Sequence, residues 1–204
     1  AGGVAACAKH FPGHGDTDLD SHFELPVVTH PLPRLREVEL PPFRAAIEAG
    51  VASIMTSHVL LPELDEKLPA TLSPRILGTL LRDEMKYEGV VVSDDMEMKA
   101  VAKGWGAGGA AVLAAQAGCD LVSFCKNPDG QVEAIEALVR AGEAGEISAR
   151  AMEGSVLRLR RLKERFLLPY RDPSPKEARL TAGGDGRPAL SEEISARSGL
   201  PARA

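Results

Sequence analysis

The sequence has no long apolar run, no surplus of positive charge and few cysteines, and each absence excludes a class of protein. No apolar segment approaches the roughly 20 residues that a membrane-spanning helix needs. The net charge is −5 at pH 7, so electrostatics do not favour binding to nucleic acid or to an anionic membrane. The three cysteines, Cys7, Cys119 and Cys125, are scattered and form no C-x-x-C pair. This pattern argues against a disulfide framework and a structural zinc site, and it predicts a reducing, cytoplasmic compartment.

The chain also begins without methionine and without a signal-peptide pattern, on Ala1-Gly2-Gly3. We therefore expect a fragment that starts inside a structural element. Because its N-terminus then carries no targeting information, secretion and a periplasmic location stay open alternatives to the cytoplasm.

At 204 residues, with 44% hydrophobic and 26% charged residues, the chain can bury a sizeable core as one domain. Short β-branched or small apolar runs alternate with amphipathic segments, a pattern that predicts a parallel sheet with helices on its faces. The predicted strands are Ala1–Ala8, Val51–His58, Val90–Ser93 and Asp120–Cys125. The predicted helices are Arg34–Leu40, Phe43–Glu48, a segment opened by Ser73-Pro74 and ending near Met85, Met96–Lys103, Ala110–Ala117, Val132–Arg140 and a segment from Ser148 to Phe166. We expect residues 1–167 to form the domain and residues 168–204, rich in Pro, Gly, Arg, Ser and Glu, to be a poorly ordered tail.

Each predicted strand is followed by polar groups able to do chemistry: Lys9-His10, His58, Asp94 and Cys125-Lys126. Active sites of (β/α)8 barrels are built in this way, at the carboxyl ends of several strands. A complete barrel needs about 250 residues, so four β/α units correspond to half of one. An open doubly wound sheet is the alternative fold.

The densest group of polar residues lies between Lys9 and His22 and admits two metal-binding interpretations. The spacing of Asp16, Asp18 and Asp20 begins like an EF-hand loop, but Ser21 and Val27 stand where that loop needs Gly and Glu. His10 and His14 have ligand-like spacing, but the intervening Phe-Pro-Gly excludes the helix on which zinc proteases place such a pair. We expect His14 to Asp18 to shape the loop, since Asx side chains suit turns.

Two further patterns indicate proton transfer and nucleophilic chemistry. In Asp20-Ser21-His22 the carboxylate and the imidazole lie on the same side of an extended segment, where Asp20 can fix the tautomer of His22 and raise its basicity. Asp94-Asp95 ends a β-branched strand. Either carboxylate could cap the next helix, and we expect Asp94 to face the pocket and Asp95 to serve the helix.

These segments resemble the β-N-acetylhexosaminidases of glycoside hydrolase family 3. The resemblance rests on Lys9–Thr17 (KHFPGHGDT) with the following DSH and LP, on Val92–Met98 (VSDDMEM), and on His58 with the later PATLS of Pro69–Ser73. It runs from residue 1 to about residue 167, and its two long motifs occur in the family's order. It implies a (β/α)8 barrel of which this chain holds the last four units.

The resemblance also implies a retaining glycosidase that releases terminal β-linked N-acetylglucosamine in the recycling of peptidoglycan fragments. Asp94 would be the nucleophile, and His22 the general acid/base with Asp20 as its partner. Lys9 and His10 would bind hydroxyls of the sugar. The implied partner is a small carbohydrate, and no metal or cofactor is implied.

One departure from the family bears on activity. In the family the first half of the barrel precedes the Lys-His motif and supplies an aspartate and arginines that grip the sugar, and nothing here corresponds to them. We expect residues 1–204 alone to be inactive or unstable. Two other functions stay open, a non-catalytic sugar-binding module and a metal-dependent hydrolase that uses the His/Asp loop. The sequence does not specify the preferred aglycone or the oligomeric state. It also does not specify whether phosphate can replace water as the acceptor.

Overall fold

The computed structural model describes residues 4–17, 20–21, 23–170, 174–177, 192–193 and 196–197. Its centre is a four-stranded parallel sheet in the order β1-β2-β3-β4. The strands are β1 (Cys7–Phe11), β2 (Ser53–Thr56), β3 (Val90–Asp95) and β4 (Leu121–Ser123). Because all three strand pairs are parallel, the four carboxyl ends lie at the same edge of the sheet. The alternation of strands and helices in the sequence predicts this arrangement.

Helices connect and cover these strands. Their bounds are α1 (Leu32–Glu37), α2 (Pro41–Glu48), a π-type helix (Arg75–Glu84), α3 (Lys99–Ala117), α4 (Pro128–Glu143) and α5 (Ala149–Phe166), with a 3-10 turn at Ala70–Leu72. The tandem prolines that were expected to separate two helices instead begin α2. The first helical turn tolerates proline because its N–H groups have no partner within the helix. The π-type helix begins at Arg75, one residue after Pro74, and Ser73 Oγ accepts the N–H of Ile76 in its first turn at 3.2 Å.

The first strand differs from its prediction. It spans Cys7–Phe11 rather than Ala1–Ala8, so Lys9 and His10 belong to the strand and not to the loop after it. Its register shifts between Ala8 and Phe11. The strand is also less buried than expected, because β1 is an edge of the described sheet and Cys7 is exposed.

The glycine-rich segment Gly104–Gly109 was expected to be a loop, and it is helical instead. Helix α3 continues from Lys99 to Ala117 with a kink at Gly106, whose φ is 65°. Glycine at position 108 allows α3 and α4 to pack closely, since a Cβ there would lie 3.0 Å from the Cβ of Ala137 on α4. The predicted helix Met96–Lys103 was placed three residues too early, because α3 begins at Lys99.

The core lies between the sheet and the helices that follow β2 and β3. Its fully buried side chains include Ile54, Leu72, Leu77 and Leu81. A buried ion network is centred on Asp120, just before β4. The Asp120 carboxylate, with no exposed area, accepts bonds from Arg82 (2.8 Å) and Arg158 (2.7 Å), and also from the N–H of Val91. It thereby connects the π-type helix and α5 to the sheet.

The chain divides into two compact units, Ala1–Phe166 and Leu167–Ala204. The second unit contains a helical turn at residues 175–177 and an ion pair of 2.6 Å between Arg197 and Glu193. Most of the predicted tail of residues 168–204 lies outside the described residues, so its disorder stays a prediction. None of the helices within the described residues combines the length and apolar character needed to cross a membrane.

Candidate active site

A cleft of about 1060 Å³ opens at the carboxyl ends of the strands. It receives side chains from β1, from the loop after it, from the α1–α2 region and from the end of β3. The lining residues are Ala8, Lys9, His10, Gly13, His14, Gly15, Asp16, Asp20, Ser21, Arg34, Val38, Glu39, Pro42, Phe43, Asp94 and Met98. Four of the five predicted site residues are therefore in one cleft: Lys9, His10, Asp20 and Asp94.

Asp94 and His10 approach each other across this cleft, although strand β2 separates the strands that carry them. Nε2 of His10 lies 3.5 Å from Oδ2 of Asp94. The other oxygen of Asp94 accepts the N–H of Asp95 at 2.8 Å. One carboxylate oxygen is thus fixed by the backbone, and the other faces the imidazole and the cleft.

The charge of His10 follows from its surroundings. Burial lowers the pKa of His10 below 6.5, an effect that Asp94 opposes and that Lys9 and His14 reinforce. At neutral pH the His10 ring is consequently neutral and has one N–H to donate. Lys9 adds a positive charge beside it in the same cleft.

The loop after β1 is held in shape by its own polar groups. Nε2 of His14 is hydrogen-bonded to Ser21 Oγ at 3.0 Å, and Nδ1 to Thr17 Oγ1 at 3.1 Å. Ser21 is buried, and its carbonyl accepts the N–H of Ala100 at 3.4 Å, which docks the loop on α3. The role expected for His14 in loop structure agrees with these contacts.

The predicted acid/base pair is only partly visible. Asp20 lines the cleft, and its carbonyl accepts the N–H groups of Phe23 (2.9 Å) and Glu24 (3.2 Å) in a turn. His22 lies outside the described residues. Its role as general acid/base therefore stays a prediction.

A second polar cluster lies at the far side of the cleft. Asp16, His30 and Glu39 each place one ligand-type atom within 4.8 Å of the others. Asp16 is 2.6 Å from His30 and 3.5 Å from Arg34, which also pairs with Glu39 at 3.1 Å. The His30 hydrogen bond and charge lower the pKa of Asp16, with a smaller effect from Arg34. Since Arg34 already pairs with both carboxylates, a metal ion would have to compete with it.

One carboxylate oxygen of this cluster, Oε2 of Glu39, is buried and has no hydrogen-bond partner of its own among the described residues. The backbone crowds the same side chain, since a Cβ on Gly13, whose φ is +146°, would lie 2.8 Å from its Cγ. Glycine at position 13 is required by both the backbone conformation and this close approach.

The segment after Asp94 is fixed by carboxylates rather than by a helix cap. Asp95 accepts the N–H of Glu97 at 3.1 Å, and α3 begins only at Lys99. The expectation that Asp95 caps the helix is therefore wrong. Glu97 in turn accepts the backbone N–H groups of Cys125 and Asn127, each at 2.8 Å, as well as that of Lys126, which ties this segment to the start of α4. Partial desolvation opposes the effect of these bonds, but the net pKa of Glu97 is lowered.

Sequence reasoning missed several residues of the cleft. Arg34 and Glu39 carry no motif, and only the fold of the α1–α2 region brings them to the cleft. The position of Ser21 was missed as well. The expected extended course of Asp20-Ser21-His22 is not found, since the Asp20 carbonyl accepts the N–H groups of Phe23 and Glu24 in a turn, and Ser21 is buried there and lines the same cleft as Asp20.

Comparison with known proteins finds a consistent family. Residues 1–162 match the model of the glycosyl hydrolase family 3 N-terminal domain. A protein named beta-hexosaminidase from Bordetella parapertussis is 36% identical over 177 residues, covering 87% of this chain and 47% of the relative. Another, from Thiobacillus denitrificans, is 41% identical over 127 residues, covering 62% of this chain and 35% of the relative.

Solved structures give the same result. The glycoside hydrolase family 3 beta-N-acetylglucosaminidase from Paenibacillus sp. str. FPU-7 is similar with a TM-score of 0.80 and 44% identity, covering 87% of this chain and 36% of that one. The likeness confirms the predicted TIM-barrel-type α/β fold, of which four β/α units are described here. The chain spans less than half the length of each of these three relatives.

Proposed function

The chain belongs to glycosyl hydrolase family 3 through that family's N-terminal domain, and we propose that the protein hydrolyses terminal β-linked N-acetylglucosamine with retention of configuration. The observation that carries the proposal is the convergence of Asp94, His10, Lys9 and Asp20 on one cleft. Relatives named beta-hexosaminidase and beta-N-acetylglucosaminidase support the substrate class.

In the proposed first step Asp94 is the nucleophile. One carboxylate oxygen attacks the anomeric carbon, the bond to the leaving oxygen breaks, and protonated His22 gives that oxygen its proton. The hydrogen bond from the Asp95 N–H occupies Oδ1 of Asp94. The oxygen facing His10, Oδ2, is therefore the one we assign to the attack.

In the proposed second step the glycosyl-aspartate is hydrolysed. His22, now neutral, takes a proton from water as the water oxygen attacks the anomeric carbon, and the bond to Asp94 breaks. Asp20 orients His22 and stabilises its cationic form. Two displacements at the same carbon give retention.

Sugar recognition is assigned to Lys9 and His10. The Lys9 ammonium donates to hydroxyl oxygens of the terminal sugar, and neutral His10 adds one N–H donor beside the reacting carbon. The His10 imidazole lies 3.5 Å from the Asp94 carboxylate, and Lys9 lines the same cleft, so several polar groups are available to bind the hydroxyls of a small carbohydrate.

The biological setting that we propose is turnover of peptidoglycan fragments in the cytoplasm. All three thiols are unpaired, with Cys119 buried and Cys7 and Cys125 exposed. Free exposed thiols suit a reducing compartment.

The deciding experiment traps the glycosyl-enzyme with a fluorinated N-acetylglucosamine analogue, on the protein expressed with whatever coding sequence precedes Ala1. Peptide mass spectrometry should find the label on Asp94. Asp94→Asn should abolish labelling and lower turnover of an aryl N-acetylglucosaminide by more than ~1000-fold, whereas the matched change Asp95→Asn should be labelled normally.

The other outcomes separate the alternatives. Binding of the sugar without label or turnover would indicate a sugar-binding module. Loss of activity on chelation, restored by a divalent metal, would indicate the metal-dependent hydrolase.

A further inference from the structure

His58 is a buried histidine directly beneath the Asp94 segment. It follows the end of β2 by two residues, and its side chain has no exposed area. Nε2 lies 3.0 Å from the carbonyl oxygen of Asp95, and Nδ1 lies 2.8 Å from Oγ1 of Thr71. Neither partner is a ligand or a solvent molecule, so the ring joins two parts of the chain.

The direction of the first hydrogen bond is fixed by chemistry. A carbonyl oxygen has no proton to give, so Nε2 of His58 is the donor to Asp95 in either charge state of the ring. Burial lowers the pKa of His58, with smaller opposing effects from Asp95 and Asp94. The ring is therefore neutral near pH 7 with its one proton on Nε2, and Nδ1 faces the Thr71 hydroxyl, whose single proton is shared between Nδ1 and the Ser57 carbonyl oxygen.

Thr71 is itself held in place. Its Oγ1 lies 2.8 Å from Oγ1 of Thr56 and 2.9 Å from the carbonyl oxygen of Ser57, all of them buried. The imidazole is consequently anchored at one nitrogen by a rigid hydroxyl cluster and presents the other nitrogen to the Asp95 backbone.

The Asp95 backbone in turn controls Asp94. The N–H of Asp95 donates to Oδ1 of Asp94 at 2.8 Å. Its carbonyl also accepts the N–H of Met98 at 3.0 Å. The carbonyl and the N–H of Asp95 belong to adjacent peptide units that meet at its Cα. If the bond from His58 is lost, the backbone dihedral angles of Asp95 are less restrained, and the direction of the N–H that orients the Asp94 carboxylate can change.

We propose that His58 is a positioning residue for Asp94: by donating Nε2–H to the Asp95 carbonyl, it fixes the backbone of Asp95, whose own N–H aims the Asp94 carboxylate into the cleft. This inference rests on the proposed nucleophilic role of Asp94. The rate of a chemical step depends on the orientation of the attacking group, since displacing a reacting group by about 1 Å lowers the rate roughly 100-fold.

The test compares two substitutions in the protein expressed with whatever coding sequence precedes Ala1. His58→Phe fills the same space without a donor. His58→Gln keeps an N–H near the position of Nε2. Trapping by the fluorinated sugar should be about 100-fold slower in His58→Phe, with KM for an aryl N-acetylglucosaminide changed less than about 3-fold. His58→Gln should recover to within about 10-fold of the unaltered rate.

A merely structural role predicts something different. In that case both variants would lose activity in proportion to their loss of thermal stability, and His58→Gln would be no better than His58→Phe. That result, or labelling of His58→Phe at the unaltered rate, would overturn the inference.

A spectroscopic measurement keeps this test separate from the proposed function. If the unaltered protein is not labelled on Asp94, the proposed function fails whatever His58 does. The imidazole ¹⁵N spectrum of the unaltered protein should show a slowly exchanging Nε2–H at His58 and an unprotonated Nδ1 at pH 7. An Nδ1–H tautomer would contradict the positioning bond, even where His58→Phe does not fold.

Discussion

Nε2 of His10 lies 3.5 Å from Oδ2 of Asp94, across the strand that separates β1 from β3. The contact places the one N–H of a neutral imidazole beside the carboxylate that we assign as nucleophile. His10 also lines the cleft in which we propose that the sugar binds. His10 can therefore serve the substrate and the nucleophile from one position.

We predict that His10→Ala lowers kcat/KM for an aryl N-acetylglucosaminide by about 10- to 100-fold, the range expected for one hydrogen bond to a charged or reacting group. Steady-state kinetics measures it. The matched control is His30→Gln, because His30 contacts Asp16 outside this part of the cleft. It should change kcat/KM by less than about 3-fold. Equal losses in both variants would argue against the assigned role of His10.

Much of this geometry could be predicted from the sequence. Alternating strands and helices imply a parallel sheet, and parallel strands bring their carboxyl ends together, so Lys9, His10 and Asp94 were expected to meet. The Arg34–Glu39 pair was not predictable, because it depends on how α1 and α2 fold over the loop. The helical course of Gly104–Gly109 was also missed, since glycine disfavours helices in isolation and only the close approach of α4 explains it.

The pH dependence of the free energy of unfolding should reflect the lowered pKa of two histidines, partly exposed His10 and buried His58. Burial lowers the pKa of His10 and of His58 below the unfolded value of 6.5. As the pH falls below about 7, the unfolded chain binds protons that the folded chain does not, and the free energy of unfolding should decrease. Chemical denaturation between pH 8 and about pH 5 measures this slope.

The control for that slope is His58→Gln, which removes one of the two titrating groups. Its free energy of unfolding should depend less steeply on pH in the same window. The carboxyl groups with lowered pKa, Asp16, Asp65 and Glu97, act with the same sign but below about pH 4. A free energy of unfolding that rises as the pH falls from 7 to 5 would contradict the prediction.

The buried ion network at Asp120 should be among the most sensitive positions for stability. We predict that Asp120→Asn lowers the free energy of unfolding by about 3–5 kcal/mol, because Arg82 and Arg158 would be left partly buried without a compensating charge. Urea denaturation measures it. The control is Glu164→Gln in the exposed Arg160–Glu164 pair, for which a loss below about 0.5 kcal/mol is expected. A cost for Asp120→Asn no greater than that of the control would show that the network contributes little.

The exposed side of α4 leads to the last prediction, which concerns residues 1–204 expressed alone. Val132, Ile135 and Val139 recur at helical spacing and are each more than half exposed. Next to them β4 is an edge of the described sheet, and β1 is the other edge. Apolar stripes and open edges of this kind associate with other chains when they have no partner.

We therefore expect the isolated 204-residue chain to bind the dye ANS, to self-associate in analytical ultracentrifugation and to lack measurable hydrolysis of aryl N-acetylglucosaminides. Ile135→Lys together with Val139→Lys should reduce self-association without restoring activity, since the charges shield the stripe but supply no missing part of the sugar site. Adding a first half-barrel, which the resemblance to the family places before the Lys-His motif, should suppress dye binding and allow hydrolysis. A monomeric, dye-negative and fully active 204-residue chain would instead mean that four β/α units suffice for both folding and catalysis.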